Sequence, residues 1–308
     1  MTLAVRILGA GAGGGLPQWN CACDGCRAAR GGEIRPRTQS SIAVSADGER
    51  WLLVNASPDV RHQVQGFAFP DPALPHQNRG SRISAVAVTS ADVDHVAGLL
   101  VLREGGAPPL YLTREVEDAL TTGLSVLPAL AAYGKVDVRT LVPGETASFA
   151  DRGGRPLGIV ATVVDMMGKP PLYVRARTGG GEGPGHAVAL VFRAEAGGAS
   201  VVYAPGVAAM DATLAGHFDR AAAILVDGTC FTDDELAGMG GRTSRAMGHL
   251  PLSGEDGMLA HLARYPRARR VFVHINNTNP IFRPGTPARA EVDAAGIEVG
   301  EDGMEVVV

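Results

Sequence analysis

Short apolar runs, some alternating with polar residues and some continuous, fill most of the chain, and glycine, proline and aspartate punctuate them. Residues 3–8 (LAVRIL) read as a strand that enters a glycine loop. Residues 40–57 (SSIAVSADGERWLLVNAS) hold two apolar runs around Asp47-Gly48, the signature of a hairpin. Residues 81–90 (SRISAVAVTS) predict a buried strand that ends in a polar loop at 90–95, and 96–104 (VAGLLVLRE) predict a helix. A short strand (PPLYLT), a helix (REVEDALTTG) and a further strand (LGIVATVVDMM) follow. Residues 186–206 predict a second hairpin that turns at Gly197-Gly198. The amphipathic helix MDATLAGHFDRA leads into the strand AAILVDGT, and the helix GEDGMLAHLARYP into the strand RRVFVHIN. The last residues, IEVGEDGMEVVV, predict a terminal hairpin around Glu301-Asp302-Gly303.

Hairpins early and late, with strand–helix units between and after them, imply an α/β fold of two mixed sheets packed together with helices outside. No linker separates two independent cores, so residues 1–308 are expected to form one domain. Residues 168–185 (GKPPLYVRARTGGGEGPG) are the long low-complexity stretch, expected to be a lid or a disordered segment.

Composition narrows the function classes. The chain has 308 residues, 45% of them apolar, and a net charge of -4. That balance is expected of a soluble acidic protein and excludes a nucleic-acid or membrane-surface partner. No apolar run approaches the ~20 residues of a membrane helix. The first residues lack the apolar core of a signal peptide, so a cytoplasmic location is expected.

Four cysteines in a chain of this length are not a disulfide framework. Cys21, Cys23 and Cys26 have the spacing C-x-C-x-x-C, which lets three thiolates converge from one tight turn, as tetrahedral zinc requires. Incidental clustering and a redox pair of Cys23 with Cys26 are the competing readings, and a zinc site needs a fourth ligand from elsewhere. Cys230 reads as a buried, inert thiol.

The glycine loop, Gly9 to Gly14, fits G-x-G-x-x-G and invites a dinucleotide reading. The pattern demands a helix opening directly after it, whereas here Gly15-Leu16-Pro17-Gln18 leads into the cysteines. A close approach of backbone to a neighbouring element or to a substrate fits better.

Chemistry gathers at the ends of predicted strands, where functional groups usually project. Asp92, Asp94 and His95 follow the strand SRISAVAVTS; Asp227 ends AAILVDGT; His274 ends RRVFVHIN; His186 opens HAVALVF. A lone strand-end Asp is ordinarily a turn cap and a lone His a satisfied core residue, but the set together suits a metal. His62, His76, His217 and His261 read as surface residues.

The loop TSADVDHVAG, with these strand ends, resembles the metallo-β-lactamase superfamily, whose signature H-x-H-x-D-H appears here as S-x-D-x-D-H. Within it the chain resembles the B-protein family of coenzyme PQQ (pyrroloquinoline quinone) biosynthesis, through GGGLPQWNCACDGC, RTQSSIAVS, NASPD, DVDH, GLLVLREG, YAPG, DGT, MGHLPLS, HINNTNP and DGMEV. The resemblance implies an αββα sandwich and one metal site of Asp94, His95, Asp227 and His274. Ser90 and Asp92 stand where the superfamily has two histidines, leaving His186 as the imidazole of a poor or empty second site. Such a set favours ferrous iron or manganese, without excluding zinc.

In the phosphodiesterase branch of the superfamily the same C-x-C-x-x-C is a structural zinc site, completed by a His three residues after the last metal-binding His. Asn277 occupies that position here, a weak ligand that water or another side chain would have to replace. Either way, the thiolates would tie the N-terminal loop to the segment carrying His274. His249, ahead of a helix expected to be capped by Ser253, is an acid–base candidate along with Asp92.

The resemblance implies a part in making PQQ from a Glu-Tyr derived precursor. Under that reading a mononuclear iron(II) enzyme hydroxylates the tyrosine ring with O2, and Arg103, Asn276 and Asn279 are candidates to bind a diacid. Metal-dependent hydrolysis is the second enzymatic reading, and carriage of PQQ or its precursor is the non-enzymatic one. A homodimer stays open.

Overall fold

The computed structural model describes residues 2–65, 81–104 and 107–308. Its strands, in chain order, are β1 (Ala4–Gly9), β2 (Ser41–Ser45), β3 (Trp51–Val54), β4 (Ile83–Ala87), β5 (Leu110–Leu112), β6 (Val138–Thr140) and β7 (Thr146–Ala150). β8 (Pro156–Asp165), β9 (Val188–Ala194), β10 (Ser200–Ala204), β11 (Ala221–Asp227), β12 (Arg269–Val273), β13 (Glu298–Val299) and β14 (Glu305–Val307) follow. They form two sheets, ordered β14-β1-β2-β3-β4-β5-β6 and β13-β12-β11-β10-β9-β8-β7. Both are mixed: β3, β4, β5 and β6 run parallel, as do β10 through β13, and the remaining neighbours pair antiparallel.

The helices are α1 (Asp24–Arg30), α2 (Val60–Gln65), α3 (Val93–Val96), α4 (Arg114–Asp118), α5 (Val126–Ala131), α6 (Leu172–Thr178), α7 (Ala212–Phe218), α8 (Ser244–Met247), α9 (Met258–Leu262) and α10 (Pro287–Ala294). Among the described residues no helix is long and apolar enough to cross a membrane.

Three apolar layers hold this together. Val5, Ile7, Val44, Leu190, Tyr203, Leu225 and Val271 pack in one cluster between the sheets. Ile224, Val226 and Phe272, pointing the other way along the same strands, pack beneath Leu214, Phe218, Met258 and Val292 of α7, α9 and α10. Leu53, Val86 and Leu112 do the same beneath Val60, Val116 and Leu130. A strand covered on both faces cannot alternate with polar residues, which explains the continuous apolar runs of β11 and β12. The result is the αββα sandwich.

Both hairpins fold as expected, with Gly48 at φ 75° and Gly197 and Gly198 at 91° and 126° supplying the left-handed turns. The expected terminal hairpin does not form. Its first run is β13, parallel to β12 in one sheet, and its second is β14, antiparallel to β1 in the other. Gly300 N donates to Phe272 O and Gly303 N to Ile7 O, so the turn crosses between sheets. Local pattern marks a turn, but tertiary pairing decides its partners. The helix after His249 begins at Met258 behind Gly257, and Ser253 donates instead to Phe231 O at 2.8 Å.

Residues 168–185 are not a structureless stretch, because they contain α6. Tyr173 Oη donates to Ala91 O at 2.7 Å, Arg177 donates to Thr122 O at 2.5 Å, and Lys169 pairs with Glu182 at 3.0 Å. His62 is exposed and His217 and His261 are half-buried; His76 lies outside the described residues.

Candidate metal centre

The C-terminal ends of β4, β11 and β12 open on one edge of the sandwich, over a cavity of about 510 Å3. Asp94 and His95 come from α3, directly after the loop that leaves β4. Asp227 is the last residue of β11, and His274 the first after β12. His274 has φ 53°, a left-handed conformation costly for a residue with Cβ and typical of a functional site.

Asp94, His95 and His274 form one compact donor group. Asp94 Oδ2 stands 3.2 Å from His274 Nε2 and 3.8 Å from His95 Nε2. At metal–ligand distances of about 2.1 Å, adjacent ligands stand about 3 Å apart. His95 Nδ1 lies 2.9 Å from Ser90 Oγ and 3.3 Å from Thr89 Oγ1, while its Nε2 is buried with no hydrogen-bond partner. A buried ring nitrogen left without a partner is costly unless something fills the position, so the donor set fits a cation.

Asp227 stands in an adjoining group with His249 and the same His274. Its Oδ2 is 2.6 Å from His249 Nδ1 and accepts from Val207 N; its Oδ1 accepts from Thr229 N and Oγ1. Of the four ligands the resemblance implies, three therefore meet as two imidazoles and a carboxylate, and Asp227 backs them. The sequence reading missed Thr229, whose hydroxyl touches Asp227, His249 and, at 2.9 Å, His274 Nδ1. The motif DGT carried that signal, but a threonine among charged residues draws no notice.

Electrostatics favour an ionised carboxylate between imidazoles. Burial opposes a charge on Asp94, yet His95 and His274 outweigh it and hold its carboxyl below the usual carboxylate range. Burial lowers the His95 imidazole, which suits a neutral ligand. For His274, burial is outweighed by the hydrogen bond and charge of Asp94, which raise it. Asp227 is likewise fully buried, and His249, His274 and Thr229 overcome that burial to keep its carboxyl low.

The other site candidates divide. Asp92 lines the cavity and accepts from Ser90 Oγ at 2.8 Å; His249 and Asn276 line it too. Among the described residues His186 joins no metal-competent group: it sits beside Gly183, after the segment that carries α6. Arg103 is turned away, stacked on Tyr133 and paired with Glu104, because the short helical stretch after α3 points it outward. Asn279 is buried in a structural role, donating to Gly228 O and accepting from Ile281 N. The cations that do line the cavity are Lys169, Arg175, Arg242 and Arg245, none of which the sequence reading selected.

The glycine loop crosses between the sheets. Ala12 N donates to Ile275 O and Ile275 N to Ala10 O, and Gly11 N donates to Thr38 O. At Gly13 a Cβ would stand 3.4 Å from the Asp94 carboxyl, so the backbone passes close to the centre.

Beside it, Cys21, Cys23 and Cys26 form a separate donor group. The side-chain amide nitrogen of Asn277 lies 3.1, 3.4 and 3.3 Å from the three sulfurs, at the fourth corner of a tetrahedron. Turned about its last bond, the same amide presents its oxygen there. Cys23 caps α1, accepting from Cys26 N, and burial pushes its thiol up to about 11. Three sulfurs so close suit a divalent cation that draws off their protons. The thiols meet the segment just past His274, so this corner clasps the edge of the centre. Cys230 is fully buried, and burial pushes its thiol up to about 12.

Comparison with known proteins identifies the family and supports the fold. Residues 50–275 match the model of the beta-lactamase superfamily domain. Coenzyme PQQ synthesis protein B of Rhizobium meliloti is 44% identical over 99% of this chain and 97% of its own. The protein of that name from Methylobacterium nodulans is 43% identical over 97% of each. The crystal structure of Zn2+-bound PqqB from Methylobacterium extorquens superposes with a TM-score of 0.85 at 42% identity, covering 98% of this chain and 99% of that one. A diphosphatase of the PhnP family, at 17% identity and TM-score 0.65, shares the fold. With this fold, and with relatives above 40% identity along almost its whole length, the chain belongs to the PqqB family of the β-lactamase superfamily.

Proposed function

We propose that the chain serves PQQ biosynthesis by hydroxylating the tyrosine ring of a Glu-Tyr derived precursor, using iron(II), O2 and an added reductant. One oxygen atom enters the ring, and the other leaves as water with two electrons from the reductant. The observation that carries this reading is the group Asp94, His95 and His274: two imidazoles and one carboxylate on a cavity edge, the ligand type of non-haem iron oxygenases. Iron bound there would supply the binding and activation of O2.

The chain's own residues do the rest. Ser90 and Thr89 fix the ring of His95, and Thr229 fixes that of His274. Asp227 accepts from His249 Nδ1, which leaves His249 Nε2 as the atom to exchange a proton with the phenol. Asp92 stands in the same cavity as a second proton-handling group. Met166, Met167, Leu172 and Met247 give the cavity an apolar lining for the ring.

Incubating iron-loaded protein, ascorbate and glutamyl-tyrosine with and without O2 tests the reading. Gain of one oxygen on the tyrosyl group, in air alone, is expected. Cleavage independent of O2 with zinc-loaded protein would replace oxygenation by hydrolysis, and tight PQQ binding with no turnover would make the chain a carrier.

A further inference from the structure

We propose that Arg175 and Arg242 recognise the carboxylates of the substrate, and so set both its chemical class and its orientation. The inference rests on the cavity reading above and names the residues that make it selective. Both arginines line the cavity that holds Asp94, His95 and His274, and they reach it from separate segments: Arg175 from α6, Arg242 from just before α8.

Charge pairing sets these two apart from the cavity's other cations. Lys169 is engaged by Glu182 at 3.0 Å and Arg245 by Asp256 at 3.5 Å. Arg175 and Arg242 make no ion pair among the described residues. The Arg175 Nε is also buried without a hydrogen-bond partner. A buried Nε with no partner carries a desolvation cost that a ligand carboxylate would relieve, and the guanidinium fork matches a carboxylate through two parallel bonds.

The scaffold holds Arg175 in place. Its neighbour Tyr173 bonds to Ala91 O, Arg177 bonds to Thr122 O, and Gly183 N closes the segment onto Gly168 O at 3.1 Å. A donor held in position loses little freedom when it binds. At the metal-competent end the wall is acidic, with Asp92 and Asp94. A ligand with carboxylates at one end and a phenol or quinone at the other would therefore be driven into one orientation, acids toward the arginines and ring toward Asp94.

Equilibrium titration of the iron-loaded full-length chain tests this, with PQQ, a tricarboxylate, and its neutral trimethyl ester as probes. We expect Arg175→Gln and Arg242→Gln each to weaken PQQ binding by about tenfold or more, with ester binding unchanged. Arg175→Lys should restore part of the loss, because lysine keeps the charge but not the fork. Unchanged iron content and melting temperature would show that the variants are folded. Equal PQQ affinity in wild type and both glutamine variants would overturn the proposal, as would an ester that binds as tightly as the acid or a wild type that binds neither. Arginine-dependent binding without oxygen transfer would refute the reaction proposed above and leave this assignment standing.

Discussion

His274 Nε2 stands 3.2 Å from Asp94 Oδ2, although 180 positions separate the two residues and they follow strands of different sheets. The pair joins the two halves of the sandwich at its functional edge, and a cation between them would tighten that join.

Asp94→Asn should therefore cost the centre its metal without unfolding the chain. The amide keeps the shape but gives up the negative charge between two imidazoles. Metal analysis should show about one equivalent less per chain, with the cysteine-bound metal retained and affinity at the centre lower by 10- to 100-fold or more. An unchanged metal content would mean that Asp94 is no ligand.

Thr229 separates orientation from ligation. Its hydroxyl meets Asp227 Oδ1 at 2.7 Å and His274 Nδ1 at 2.9 Å, so Thr229→Val takes the hydroxyl from both, leaving Asp227 Oδ1 with the backbone N of residue 229 and His274 Nδ1 without this partner. We expect Thr229→Val to lower turnover by about 10- to 100-fold and to weaken metal retention, while Thr229→Ser recovers most of both. Steady-state kinetics with metal analysis of the two variants decides it, and a serine variant as impaired as the valine one would point to packing of the methyl group instead.

Asn277 tests the cysteine corner. Imidazole is a far better zinc ligand than an amide, so Asn277→His should slow loss of metal to a chelator, and Asn277→Ala should speed it. Removal of metal from the wild type should raise hydrogen exchange in residues 18–30, whose amides at Gln18 and Cys26 donate to the sulfurs of Cys26 and Cys23. Identical chelator kinetics in all three proteins would exclude the side chain from the site.

Much of this was legible in the sequence because the informative features are local. The strand runs, both glycine turns, the C-x-C-x-x-C cluster and the loop carrying Asp92, Asp94 and His95 sit within a few residues each, and motifs such as DVDH and HINNTNP carry the resemblance to the family. What escaped depended on tertiary partners. The final residues looked like a hairpin because β13 and β14 flank a real turn, yet each strand found a different sheet. Arg103 was selected for its charge, but the turn of the helical stretch points it at Tyr133. Arg175 was hidden in a glycine-rich stretch, and only the folded chain shows its buried, unmatched Nε.

Asp302 gives a pH test in the turn that crosses between the sheets. It accepts from Ala10 N at 3.0 Å and from Thr38 N and Oγ1 at 2.7 and 2.8 Å, fastening the glycine loop to the C-terminal strand. Burial nevertheless dominates and raises its carboxyl above the usual value, against those donors and Arg37. A carboxyl raised on folding favours the native state most when protonated. Its contribution is complete below the unfolded pKa of about 4 and is lost as pH rises through the folded value. Each tenfold gain in proton affinity on folding is worth roughly 1.4 kcal/mol. Asp302→Asn abolishes the titration while other groups cancel between the two proteins. The stability of the wild type relative to Asp302→Asn, from urea unfolding, should therefore be greater at about pH 4 than at about pH 7. A difference that grows toward neutral pH would show that the donors, not burial, control this carboxylate.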